Sequence, residues 1–120
     1  MPYITGIDHV QLAMPVGAEE LARGFYRDVL GLEEIAKPAV LAVRGGVWFA
    51  CGGAQLHLGA DPDFQAAKKA HPALLVRDFD LFAQALAAHG VALKPEDMVA
   101  GRQRASVFDP FGNRVELIQA

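Results

Sequence analysis

The chain has 120 residues, 52% of them hydrophobic and 21% charged, with a formal net charge of −3. That length suits one ordinary domain able to bury roughly two thirds of its unfolded surface, and the slight acidity excludes nucleic acid and an anionic membrane surface as expected partners. Cys51 is alone and so forms no intrachain disulfide. The start MPYITGIDH has neither the cationic residues nor the apolar run of a signal peptide, and no apolar stretch approaches the roughly 20 residues a membrane helix needs. A cytoplasmic protein with no membrane partner is the expectation.

In chain order, IDHVQLAM from Ile7 alternates as a strand does, and Glu19 to Leu30 follows with the spacing of an amphipathic helix whose Phe25, Val29 and Leu30 face a core. Gly31 closes that helix. ALAVR, VWFACGG and AQLHLG read as strands, with the glycine doublets at Gly45 and Gly52 punctuating hairpins. The segment GADPDFQAAKKA is a linker. Then the pattern repeats at an offset of about 60 residues. HPALLV from His71 is a strand, and Asp80 to His89 is a helix with Phe82, Leu86 and its alanines inward, closed by Gly90. VALKP, RASVF and RVELIQ are strands, the last two joined by the tight turn DPFGN. The expected fold is α+β: one domain, residues 1–120, of two tandem βαβββ modules at about 4–59 and 70–120 with a linker at about 60–69. Such a module leaves one sheet face bare.

Side chains alternate across a strand, so parity assigns residues to faces. Val10, Leu12 and Met14 form one apolar set, which puts His9 and Gln11 opposite. Likewise Leu56 and Leu58 oppose His57, and Val115 and Leu117 oppose Glu116. His71 opposes Pro72, Leu74 and Val76. Four strands therefore place an imidazole or a carboxylate on the face the helices leave open. Those are ligand types for zinc, nickel, manganese, cobalt or iron. His9, His57, His71 and Glu116 are the candidate metal ligands.

DHVQLAM, FYRDVLGLEEI, AQLHLG, HPALLVRDFD and DPFGNRVELI, which span nearly the whole chain, resemble the vicinal oxygen chelate superfamily. This is the group of glyoxalase I, extradiol dioxygenases and the fosfomycin and bleomycin resistance proteins. The resemblance implies paired modules in a curved, cup-shaped mixed sheet, with ligands on the first and fourth strand of each module. It also implies a homodimer, since members of this length often complete each cup with modules from two subunits. His57 stands where glyoxalase I usually has a glutamate. Fosfomycin-type thiol transferases and extradiol dioxygenases use only the places of His9, His71 and Glu116, and bleomycin-binding members lack the ligand set and act by sequestration.

The function expected on this resemblance is a divalent-metal enzyme of glyoxalase-like lyase or isomerase type. Its substrate would be a small, oxygenated, anionic molecule chelated to the metal. Glu116 would act as catalytic base, and the metal would stabilise an enolate. The alternatives are a drug- or metabolite-binding resistance protein, a fosfomycin-type thiol transferase and an extradiol dioxygenase. Arg104, with Arg102 and Ser106 on its parity, is placed to clamp an anion. Trp48 offers an apolar wall, Gln11 assists beside the ligands, and Lys68 and Lys69 lie near the entrance. Gln11, Trp48, Arg104 and Ser106 are the candidate substrate contacts. Cys51, in an apolar strand, reads as a buried hydrophobe.

Overall fold

In the computed structural model, which describes residues 2–120, the alternation in HVQLAM forms β1 (His9–Met14). There follow α1 (Glu19–Ala22), a π-helical stretch (Arg23–Val29), β2 (Glu34–Ile35), α2 (Ala39–Ala42), β3 (Val47–Cys51) and β4 (Ala54–Ala60). The strands make a mixed sheet in the order β1-β4-β3-β2, with β1 parallel to β4 and the other pairs antiparallel. Met14, Val47, Phe49, Leu56 and Leu58 bury one face of this sheet against Ala22, Phe25 and Tyr26 of the helical segment. These elements belong to a first compact unit that ends at Gln65.

Two details depart from the reading of the sequence. The expected single helix over Glu19 to Leu30 widens after its first turn, with the Leu30 N–H donating to the Phe25 carbonyl five residues back. The wider turn brings two consecutive residues, Phe25 and Tyr26, into the core and leaves Val29 only half-buried. ALAVR is no strand. Pro38 starts a helical turn instead, its carbonyl accepting from the Leu41 and Ala42 N–H groups, and Gly45 and Gly46 at φ +73° and +92° end that turn rather than a hairpin. The pairing partner of β3 is therefore the short β2, through Glu34 opposite Phe49 and Ile35 opposite Trp48. The hairpin expected at Gly52 does join β3 to β4, which pair from Cys51 opposite Ala54.

The second unit, from Ala66, repeats the plan with β5 (Ala73–Val76), α3 (Phe79–Ala88), β6 (Lys94–Val99), β7 (Arg102–Phe108) and β8 (Arg114–Gln119). Its sheet order is β5-β8-β7-β6, and β5 runs parallel to β8. Leu86 of α3 packs with Val76, Ala105, Val107, Val115 and Leu117 in the core. The helix closes as expected, Gly90 at φ +76° and the Val91 N–H donating to the Leu86 carbonyl. That closure occupies Val91, so the strand expected at VALKP begins only at Lys94. The DPFGN turn is tied by Asp109, whose buried carboxylate accepts from the Phe111 and Asn113 N–H groups and from Asn113 Nδ2. The tight turn read from the sequence between the last two strands is thus held by its own first residue.

Candidate functional site

In the first unit, the open sheet face gathers His9, His57 and Trp48. Register places Trp48 directly opposite His57 across β3 and β4. Their rings stack at 3.9 Å and 3°, and His9 stacks on the other side of His57 at 4.3 Å and 13°. His57 is thus sandwiched between two rings and is only 3% exposed, while His9 stays open to solvent. His57 Nε2 bonds Gln55 Oε1 at 2.8 Å, and His9 Nδ1 bonds Asp8 Oδ2 at 2.9 Å. Burial pushes the His57 pKa down, as do the neighbouring His9 and Lys37, while Asp8 opposes them. Phe49, one residue from Trp48, points the other way into the core. Gln11 lies across Gly59, where a Cβ would come within 2.8 Å of its amide.

In the second unit, Glu116 is the centre of a polar cluster. Arg104 grips its carboxylate at two points, Nε to Oε2 at 3.0 Å and Nη2 to Oε1 at 3.0 Å, and His71 Nε2 stands 3.3 Å from Oε1. The Arg104 hydrogen bonds, with its charge and the His71 contact, hold the Glu116 pKa below the usual carboxylate value against the opposing effect of burial. Ser106, directly opposite Glu116 in the register, is fully buried and donates to Glu96 Oε1 at 2.9 Å, while it accepts from Arg114 Nε at 2.9 Å. His71 itself precedes β5 rather than beginning it. The Glu116 N–H bonds the Pro72 carbonyl, which extends the pairing just far enough to bring His71 beside Glu116. Arg102 turns aside and donates to the Gln119 carbonyl. Glu96 and Arg114 escaped the reading of the sequence, although Arg114 shares the parity of Glu116 and that signal was available.

The four candidate metal ligands are of the right type, and each unit, taken by itself, holds two of them. An imidazole nitrogen binds along a lone pair in its ring plane, so an ion held by His9 and His57 together must lie in both planes at about 2.0–2.1 Å from each nitrogen. Two nearly parallel rings, stacked at 4.3 Å, share no such point. Both oxygens of Glu116 are already engaged by a guanidinium. Within either unit, among the described residues, no three histidine, cysteine, aspartate or glutamate side chains are gathered for a metal ion. Cys51 is half-buried, and burial raises its pKa, as expected of an inert thiol. No helix is long and apolar enough to cross a membrane among the described residues.

The profile of the Glyoxalase/Bleomycin resistance protein/Dioxygenase superfamily matches residues 6–117. A protein assigned to the glyoxalase family in Bacillus anthracis has a similar structure, with a TM-score of 0.96, 47% identity, and 99% of this chain and 98% of that one covered. Lactoylglutathione lyase from Agrobacterium tumefaciens is similar at a TM-score of 0.77 and 23% identity, over 99% and 96% of the two chains. An antibiotic-binding protein from a Streptomyces species is similar at 0.72 and 26% identity, over 99% and 98%. No curated protein sequence gives a match.

Proposed function

Because the chain belongs to the Glyoxalase/Bleomycin resistance protein/Dioxygenase superfamily, we propose that it is a small-molecule-binding member that works without a metal held by His9, His57, His71 and Glu116. The observation that carries this reading is the two-point bond from Arg104 to Glu116. A guanidinium there supplies positive charge that a metal would otherwise bring, and it competes for the same two oxygens. Removing it would leave a buried carboxylate without its principal partner, so the pair resists replacement. Likeness to the Streptomyces antibiotic-binding protein supports a binding role. Ligand contacts then fall to Trp48 and Gln11 in the first unit and to the accessible edge of Arg104 in the second, where Ser106 is fully buried and serves the cluster from within. A homodimer, as the family resemblance implies, belongs to this reading.

A second reading, the glyoxalase-type metal enzyme with Glu116 as ligand and base, has one observation in its favour: the 3.3 Å approach of His71 to Glu116. In it the ion would compete with Arg104 for the carboxylate. Purified without chelator and dialysed against nickel, zinc, manganese, cobalt or ferrous iron, the protein is expected to hold well under one metal ion per chain by elemental analysis. One ion per chain, abolished by His57→Ala or Glu116→Gln, would overturn the metal-free reading.

A further inference from the structure

The lysine and arginine side chains of the first unit are Arg23, Arg27, Lys37 and Arg44. Arg23 is paired with Glu34 and Glu20, and Arg27 with Asp28. Lys37 and Arg44 form no ion pair among the described residues. Both line one cavity of about 180 Å³, together with Gln11 of β1, Trp48 of β3 and Gly59 of β4, and no acidic side chain lines it. At about 30 Å³ per water in the liquid, it has room for about six waters. That suits a charged headgroup on a short stem, and falls below the ~300 Å³ of a site for a drug-sized ligand.

Glycines give the cavity its shape. Gly59 stands where the alternation of β4 would put a side chain beyond His57, and without one the Gln11 amide lies across its backbone, within 2.8 Å of where a Cβ would be. Gly46, at φ +92°, lets the turn after α2 press against β4, where a Cβ would sit 2.4 Å from the Leu58 carbonyl oxygen. Lys37 Nζ donates to the Gly45 carbonyl and so ties the segment before α2 to that turn. The acceptor is neutral, and an ammonium has three donors, so the charge and two N–H groups of Lys37 stay available. The Arg44 guanidinium and the Gln11 amide make no hydrogen bond to protein among the described residues. Glu19 approaches the same turn, its Oε1 about 3.4 Å from where a Cβ on Gly45 would stand, yet it pairs with neither cation.

Arg104, expected from the sequence to clamp an anion, has its guanidinium committed to Glu116. In the first unit the donors with no acid to hold are those around Gly59. We propose that Lys37, Arg44 and Gln11 form a subsite for a small oxyanion, the carboxylate or phosphoryl end of the ligand. A guanidinium and an ammonium on a wall without acids select a charged group over its neutral isostere, and the Gln11 amide adds a neutral donor. Carboxylate and phosphate share this chemistry. The subsite names one end of the ligand for the small-molecule-binding reading and rests on that reading.

Trp48 is the single tryptophan of the chain, so its indole N–H gives one NMR resonance from the cavity wall. Titrations with acetate and with methyl phosphate, at ionic strength held constant with chloride, are expected to shift it and the Gly45 and Gly59 amides saturably. Two charge-assisted hydrogen bonds at an accessible site support a dissociation constant on the order of 1 mM. The tighter of the two probes tells a carboxylate ligand from a phosphoryl one. Acetamide, the neutral isostere of acetate, should give no saturable shift. Arg44→Gln should weaken binding about threefold to tenfold, Arg44→Lys should restore most of it, and Glu19→Gln should tighten it. Arg27→Gln, which removes a cation already paired with Asp28, should leave it unchanged. Arg44 and Arg27 are both exposed, and the dispersion of the same spectra checks folding. No saturable shift with either anion, an equal response to acetamide, or equal losses in Arg44→Gln and Arg27→Gln would overturn the proposal. Such a failure leaves metal content, which decides the metal-free reading, unmoved. One metal ion per chain, with acetate still bound in an Arg44-dependent way, would instead remove the metal-free reading alone.

Discussion

Arg104 Nε meets Glu116 Oε2 at 3.0 Å while its Nη2 meets Oε1 at 3.0 Å, and the carboxylate they hold is only 8% exposed at its side chain. The Arg104 bonds keep Glu116 ionised despite burial, so its folded-state pKa lies below the unfolded value of about 4.3. Between those two values the unfolded chain binds more protons than the folded one. The stabilisation is thus fully present above about pH 4.3 and is lost as pH falls through the folded value. Urea unfolding from pH 7 to pH 3 should show this acid loss. In Arg104→Met the loss should shrink, because an unpartnered buried carboxylate no longer prefers its charged form, and stability at neutral pH should fall. Adding Glu116→Gln to Arg104→Met should recover part of it. Equal acid slopes in wild type and Arg104→Met would show that the pair is not the source.

A second pH response comes from His57. Burial first, then His9 and Lys37, depress its pKa against the pull of Asp8. A neutral imidazole is favoured in the folded state, so stability declines as pH drops below the unfolded value of about 6.5 and stops declining once the folded value is passed. This window lies above that of Glu116, which makes the two separable. His57→Gln should remove the component between pH 7.5 and pH 5.5 and leave the acid limb untouched. The His57 ring, followed by NMR, should titrate below 6.5. A midpoint at or above 6.5 would contradict the assignment.

The faces of the strands were legible because a strand has a strict two-residue period. His9, Trp48, His57 and Glu116 all stand on the side opposite the core residues that alternate with them. The closure of both helices was legible because glycine readily takes the left-handed conformation that Gly31 and Gly90 adopt, at φ +79° and +76°. What pairs with what across strands was not. Arg104 reaches Glu116 only because Ser106 is the residue directly opposite Glu116, which puts Arg104 one step along the diagonal, and register is a property of two strands rather than of either one. The stacking of His9 on His57 has the same origin. The helical turn at Ala39–Ala42 was missed because Val40 and Leu41 suit a strand locally while Pro38 decides otherwise, and the widening at Arg23–Val29 because apolar spacing signals a helix without fixing its turn width, which the core around Tyr26 decides.

The turn after α2 makes a sharp pair of predictions. Gly46 and Gly52 both have positive φ, +92° and +58°, but a Cβ on Gly46 would stand 2.4 Å from the Leu58 carbonyl oxygen, whereas nothing lies within 4 Å of one on Gly52. Gly52→Ala should therefore cost about 1 kcal/mol, the conformational penalty alone. Gly46→Ala adds a backbone clash that β4 cannot relieve without losing its pairing, and about 3 kcal/mol or more is expected. Chemical denaturation of both variants checks this. Equal losses would mean that the turn is free to move away from β4, and Lys37 and Arg44 with it.

The three-ring stack predicts coupling between positions on different strands. Trp48 and His57 lie at 3.9 Å with a 3° interplanar angle, the closest ring contact on this face. A double-mutant cycle between Trp48→Leu and His57→Leu should give a coupling of about 0.5–1.5 kcal/mol in favour of the native pair, the range for aromatic contacts beyond simple burial. His9 touches only the outer face of His57 and is itself solvent-exposed, so His9→Leu should couple to His57 more weakly and to Trp48 not at all. The order of these couplings is the informative part. If the imidazoles were arranged to meet at a common ion, His9 and His57 would instead be the strongly coupled pair, and their coupling would depend on added metal. Measuring the two cycles with and without zinc separates a stack that braces a binding surface from a pair of ligands waiting for a charge.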